Sequence, residues 1–382
     1  MNETPVDLSA NPKATIDWYR SAPWWRLASQ CIGISWRATH LLLCAAALFL
    51  TQLWISAANY LFQGHSAVAS WIIPSETINP LALRSSDWMR GPIISVWQQY
   101  LSYVFHWLQT PTLNVAAESL ASMIGIVAIW SWVGGCLCRR SVVELGTRMT
   151  APWSETFRLV LKRWQSIAWS VSMPALLVLL MAVGPLVLGW ISNIPAVGIW
   201  IAGLLLIPVL FCTIGIGWCA AISVFGFPLS VCSVVTEKQA DAYDGISRSA
   251  AYTFQRPLTL ALCVVGMQLL GTVGSMVVTL VLSTGFGVIE AGFIVGSFTS
   301  ISEMESMWAP ILNGIVPLLV TSFSFSFFWS AAAATYLILR RDVDHADFDL
   351  IDMDVPTEPK ALPDLPKMEE RIPAELTDNS AE

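Results

Sequence analysis

The side chains best placed to do chemistry lie in one short polar segment, FPLSVCSVVTEKQADAYDGISRSAAYTFQRP (Phe227–Pro257), between two long apolar runs. Glu237 precedes an acidic helix start at Asp241 and Asp244; Arg248 falls in an amphipathic turn, and Arg256-Pro257 stops it. A carboxylate followed by guanidinium groups makes charge-assisted hydrogen bonds. The reading this supports is a structural clasp, Glu237 with Arg248 or Arg256, that holds a short helix to the ends of the neighbouring spans. A catalytic role has no support. Gly245-Ile-Ser247-Arg-Ser249 approaches a nucleophile elbow but lacks the closing glycine and lies in a capped helix.

Elsewhere the sequence offers no catalytic, cofactor-binding or metal-binding set. The four histidines, His40, His65, His106 and His345, are far apart, and no P-loop, G-x-G-x-x-G or H-E-x-x-H is present. The run Asp342-Val-Asp344-His345-Ala-Asp347-Phe-Asp349 lacks the EF-hand glycine, and Met353 stands at the twelfth position, so it reads as a solvated acidic run. Cys136-Leu-Cys138 is not C-x-x-C, and none of the eight cysteines falls in an external segment, so all read as reduced thiols.

What must position the clasp is a membrane bundle. Apolar residues make up 55% and charged residues 12%, against about 25% charged in a soluble domain. Nineteen tryptophans suit membrane–water interfaces. Thirteen of the 27 acidic residues lie from Asp342 onward against three basic ones, giving a tail of −10 and a body of +3. That split indicates membrane lipids as partners of the body and an unknown protein partner for the tail; it does not suggest nucleic acid.

The expected fold is all-α, a polytopic bundle of six spans at about 38–62, 116–138, 167–191, 196–226, 258–283 and 311–339, with two cytoplasmic amphipathic helices. Residues 1–37 form an N-terminal segment without a signal-peptide core. Its stretch WYRSAPWWRLASQCIGISWR fits either an interfacial helix or a juxtamembrane lead-in. Residues 93–108, IISVWQQYLSYVFHWL, read as an amphipathic piece at the interface or across the bundle mouth, with His106 structural. Pro174, Pro185, Pro208 and Pro317 sit within spans as kink sites. Residues 342–382 read as an acidic, disordered tail.

Lys and Arg alternate by loop: four before the first span, then two, six, none, three and none, with Arg340-Arg341 after the last. The positive-inside rule therefore puts both termini in the cytoplasm, and the localisation expected is a bacterial inner membrane. Charges inside the spans are nearly absent, which argues against ion-coupled transport. The polar residues Gln52, Asn59, Gln268 and the Thr321–Ser326 row fit interhelical hydrogen bonding or the lining of a solute path.

Two loops look alike. Ser141-Val-Val-Glu144 echoes Ser233-Val-Val235 with Thr236-Glu237, and Trp153, Arg158 and Trp164 match Tyr243, Arg248 and Phe254 ninety residues later. The apolar faces expected are Trp153, Phe157, Val160, Leu161 and Trp164 in one copy and Tyr243, Ile246, Ala250 and Phe254 in the other. An even number of crossings separates the copies, so the internal repeat is parallel.

On Pro228, Glu237, Ala242, Ser249 and Arg256 the chain resembles the YciC-like family, the DUF4013-type proteins and the membrane domain attached to some glycerophosphodiester phosphodiesterases. Trp132 to Gly135, Val143-Glu144-Leu145 and Tyr336-Leu-Ile-Leu-Arg-Arg-Asp342 are similar to uncharacterised planctomycete-type membrane proteins. The resemblance covers about residues 120–350 and implies topology far more than activity, and no phosphodiesterase domain is present. The function expected is a non-enzymatic membrane scaffold or interaction module; the alternative is a permease-like or lipid-handling transporter.

Overall fold

A computed structural model describes residues 23–63, 91–98, 100, 112–195, 197–238, 240–297, 301–348 and 351. The elements are α1 (Pro23–Ser35), α2 (Ala38–Gln63), α3 (Leu113–Thr147), α4 (Trp153–Ser192), α5 (Gly198–Ala221), a π-helical turn (Ile222–Gly226), α6 (Phe227–Thr236), α7 (Ala242–Gln255), α8 (Pro257–Ser297) and α9 (Ile301–Asp344). Among the described residues there is no strand. Six helical segments are long and apolar enough to cross a bilayer: Ala38–Phe62, Asn114–Thr147, Trp153–Ser192, Gly198–Thr236, Pro257–Ile289 and Gly314–Asp344. Each exceeds the ~20 residues a span needs. The chain is a multi-pass, all-α membrane protein.

The helices run past the expected span limits. The first amphipathic helix is not separate: residues 153–164 continue without a break into the third span as α4. Nothing between Trp164 and Ile167 stops a helix, whereas Pro257 lacks an N–H and disfavours helical backbone in the residue before it. Arg256 accordingly leaves the helix at φ −130°, ψ 55°, and α7 stands as an independent helix. The two copies of the repeat therefore part at this point. Between the last two spans, α8 runs on to Ser297 and α9 begins at Ile301, which puts Gly292 and Gly296 inside α8.

At the centre is α9, which touches α1, α2, α3, α6, α7 and α8. Every residue from Thr321 to Ala331 is buried, as expected of a helix that is apolar or small all round. Ser322 and Ser324 donate to carbonyls of their own helix, Leu318 at 2.7 Å and Val320 at 3.1 Å, while Ser330 and Ser141 join α9 to α3 at 3.2 Å. Two of the four hydroxyls in the expected polar row, Ser322 and Ser324, are thus spent within one helix, while Ser326 Oγ is buried without a hydrogen-bond partner. By contrast, α5 packs mainly on α4 and the π-helical turn. Its Ile199, Trp200 and Leu204 are exposed, as lipid-facing side chains would be.

Residues 92–98 form a further helical stretch. It lies deep in the bundle, neither at the interface nor across the mouth. Gln268 Oε1 accepts from the Ile93 and Ile94 N–H groups at 3.0 and 3.3 Å, capping the stretch from a neighbouring helix. Gln268 follows Pro257 by eleven residues, roughly 16 Å along the helix. A Cβ on Gly91 would strike the Gln268 and Thr272 side chains, so this approach requires glycine. Trp97 and Tyr100 then meet Phe227 at 5.9 Å each and Phe328 at 6.0 and 6.4 Å, and Tyr100 also meets Trp130 at 6.2 Å. Residues 101–108, with His106, the N-terminal aromatic stretch before Pro23, and the tail from 352 lie outside the described residues.

Candidate functional site

The expected clasp residues gather where α6, α7 and α9 end or begin together. Glu237 closes α6 in an extended conformation, and its N–H returns to Ser233 O. Asp241 caps α7 by accepting from the Asp244 N–H at 2.9 Å, which satisfies a first-turn donor. The buried face of α7 is Gly245, Ser249, Tyr252 and Thr253, not the apolar stripe. A Cβ on Gly245 would come within 2.7 Å of Val234, so close approach of backbones selects the small-residue face. Tyr243 and Phe254 turn outward at 74% and 38% exposure, with Phe254 stacked on Trp218 at 4.1 Å. In the first copy Val160 is buried as expected, but Leu159 takes the inward place and Leu161 is exposed.

Glu237 Oε1 is the hub. It accepts from the Tyr336 hydroxyl at 3.0 Å, lies 3.0 Å from Arg340 Nε and 3.8 Å from Arg248 Nη1. Asp344 Oδ2 is a second centre: it accepts from the Tyr252 hydroxyl, and Arg248 Nη1 stands 3.5 Å away. Arg248 therefore bridges two carboxylates on different elements. The Tyr252 and Tyr336 rings lie 5.9 Å apart between them. Arg256 is exposed at the C-cap of α7, outside this cluster; Arg340 occupies the place expected for it. Asp344, assigned from sequence to a solvated tail, is the last residue of α9, and Ile351 is buried near Gly146 of α3.

A second tier holds the backbone. Arg163 Nη1 donates to Val234 O at 2.8 Å and Glu237 O at 2.5 Å, and its Nη2 donates to Lys238 O at 2.6 Å. Arg139 Nη1 donates to Val235 O at 3.1 Å. Two guanidinium groups from α3 and α4 thus satisfy the carbonyls at the C-terminus of α6, where cations also complement the helix dipole.

The electrostatics are those of a closed network. Burial alone would lower the Arg248 value, but Glu237 and the two tyrosines outweigh it and the net direction is upward. Burial, then the hydrogen bond to Asp344, pushes Tyr252 up. Both groups keep their protons at neutral pH, so Tyr252 donates and Arg248 stays cationic. Each carboxylate is engaged by donors, and this geometry builds a junction. Among the described residues no group of three or more His, Cys, Asp or Glu side chains could hold a metal ion.

Tyr336, Arg340 and Asp344 were the residues missed. Their signal is in the sequence: spacing of four and four places them on one face of a helix. The Arg139 and Arg163 contacts to backbone join elements far apart in the chain, and no local pattern announces them.

One narrow crevice borders the clasp, lined by Ser170, Pro174, Ser223, Gly226, Ser230 and Ser249 among others, and it admits no water-sized sphere. Pro174 leaves the Ser170 carbonyl without its helical donor, and the π-helical turn flanks the same space. Comparison with family models, curated proteins and solved structures finds no match.

Proposed function

We propose that this chain is a non-enzymatic scaffold of a bacterial cytoplasmic membrane, with both termini in the cytoplasm and a rigid platform that presents α7 and the acidic tail to partners. The observation that carries this reading is the filled centre of the bundle. Trp97, Tyr100, Trp130, Phe227, Phe325 and Phe328 meet ring against ring inside the bundle, with Trp130 and Phe325 stacked at 4.3 Å. Such packing favours a fixed frame over a solute path. The platform agrees with it, because clasped charges hold α7 so that Tyr243 and Phe254 face outward, and exposed aromatics beside arginine suit interfaces. The resemblance to YciC-like proteins on Pro228, Glu237, Ala242, Ser249 and Arg256 fits the same description.

A permease-like or lipid-handling role is the second reading, and the serine crevice beside Pro174 and the π-helical turn favours it, since such turns are frequent at functional sites. Two measurements separate the readings. Full-length protein purified from cells should retain a defined partner that is lost on truncation after Ile351, which leaves Asp344 and the clasp intact. Proteoliposomes should show no lipid scrambling or solute flux. Flux that disappears on substitution of Ser170 or Ser230, with no tail-dependent partner, would replace the first reading by the second.

The orientation has its own test. With the native cysteines replaced by alanine, a cysteine at Asn193 in the α4–α5 turn should react with an impermeant reagent added to intact cells, and one at Tyr243 should not. The reverse pattern would invert the topology. Gln239, the other natural position for an inside probe, lies outside the described residues.

A further inference from the structure

A second polar cluster lies at the same basic end of the bundle, where the start of α2 meets the end of α3 and the start of α4. Arg37 and Glu144 make a two-point ion pair there, with Nη1 to Oε2 at 2.6 Å and Nη2 to Oε1. Arg140 lies with its guanidinium carbon 4.0 Å from the centroid of the Trp153 ring and is only 8% exposed. His40 is fully buried and meets the same ring edge-on at 5.8 Å. Arg140 Nε and Nη1, and both ring nitrogens of His40, are buried without a hydrogen-bond partner.

This pattern differs in kind from the Glu237 clasp, where the donors are matched to acceptors. Here Glu144 is already held at both oxygens by Arg37, and Arg140 Nε and Nη1 are left without an acceptor. Buried donors are normally satisfied, and a buried charged donor left without an acceptor is costly. What is missing is therefore an anionic acceptor with more than one oxygen. A guanidinium offers parallel N–H groups that match phosphate oxygens two at a time. Trp153 is partly exposed at the end of its span, where tryptophans sit at headgroup depth. Basic pockets between transmembrane helices are the form that phospholipid headgroup sites take. Arg148 at the C-cap of α3, and Arg158 and Lys162 in the first turns of α4, add positive charge nearby in the chain.

We propose that Arg140 and His40, walled by Trp153 and flanked by the Arg37–Glu144 pair, form a binding site for a phosphate group, carried by an anionic phospholipid of the leaflet at this end of the bundle. Arg140 supplies the two-point contact. His40 supplies one ring N–H to a further phosphate oxygen, and Trp153 orders the guanidinium by stacking. The acyl chains run along the exposed flank of α2, where Leu42, Phe49 and Leu53 face outward. The site does not depend on the scaffold reading and would serve a permease equally.

The test uses full-length protein stripped of lipid in detergent, with three probes: phosphatidylglycerol, diacylglycerol with the same chains, and inorganic phosphate. Lipid adducts are counted by native mass spectrometry, and protection is read from thermal unfolding. Phosphatidylglycerol should bind and protect, diacylglycerol should not, and Arg140→Gln should weaken binding about tenfold while Arg148→Gln leaves it unchanged. Arg140→Lys keeps the charge and the ring contact but loses the fork, so it should also bind several-fold more weakly; this variant decides the matter if Arg140→Gln does not fold. Protection by inorganic phosphate, abolished in Arg140→Lys, would support the phosphate site and assign it to a soluble ion in place of a lipid. Equal binding of diacylglycerol and phosphatidylglycerol, or wild-type binding by Arg140→Lys, would overturn the proposal.

Discussion

Replacing Glu237 by alanine should lower the apparent melting temperature of the purified protein by about 10 °C. The figure follows from the cost of removing one partner of a largely buried ion pair, about 3–5 kcal/mol, at about 2–4 °C per kcal/mol for a large chain. Three losses coincide. Arg340, whose side chain is 9% exposed, loses the carboxylate 3.0 Å from its Nε. Tyr336 is fully buried, and its hydroxyl loses an acceptor. Arg248 loses one of its two carboxylates. Glu237→Gln should cost roughly half as much, because an amide oxygen can still accept from Tyr336 while the charge is gone.

Neighbouring substitutions separate the hub from its rim. Arg248 is more exposed than Arg340, and Arg248→Ala should cost about 1 kcal/mol or less. Arg256→Ala, at an exposed cap outside the cluster, should stay within about 0.5 kcal/mol of the parent chain. If Glu237→Ala melted with the parent chain, or if Arg256→Ala were the more damaging of the two, the hub would be misplaced.

That ranking could be only half written from sequence. Glu237, Asp241 and Arg248 stood out because they interrupt apolar runs and because a capped helix start has a local signature. Spans were legible for the same reason, since about twenty apolar residues have few other uses. The partners on α9 were harder to see. Arg340 and Asp342 looked like the edge of a span, and a composition argument assigned everything beyond to solvent. Yet Tyr336, Arg340 and Asp344 share a helical face whose last member lies past that edge. Composition averages over a stretch, whereas a helix face selects every third or fourth residue from it. The inward face of α7 failed for a related reason. Periodicity picked Tyr243, Ile246, Ala250 and Phe254 as the packed side, which holds when the outside is water. At a membrane surface the outside also takes aromatic side chains, and small residues win the inside because they let backbones approach. The deep placement of residues 92–98 depends on a single glutamine from a helix some 175 positions away, a contact that no local window contains.

The same logic of close approach makes Gly134 a position that cannot take a side chain without displacing a buried ring. A Cβ there would stand 2.5, 2.7 and 2.8 Å from three atoms of the Trp329 ring. Trp329 is fully buried and cannot swing away, because its ring meets Phe227 edge-on at 5.4 Å and Phe328 at 5.2 Å. Gly134→Ala should therefore cost about 1–3 kcal/mol through overpacking, seen as a lower melting temperature with helical content preserved. Gly134→Leu should remove the monodisperse folded species altogether on size-exclusion chromatography. The control is Gly203 in the exposed α5, where a Cβ would meet nothing within 4 Å. Gly203→Ala should be neutral or slightly stabilising, since alanine is the better helix former by about 1 kcal/mol. A Gly134→Leu protein that folded and melted like the parent chain would mean that α3 and α9 are not in contact at Trp329. The central position of α9, and with it the frame that carries Tyr336, Arg340 and Asp344 to the clasp, would then have to be rebuilt.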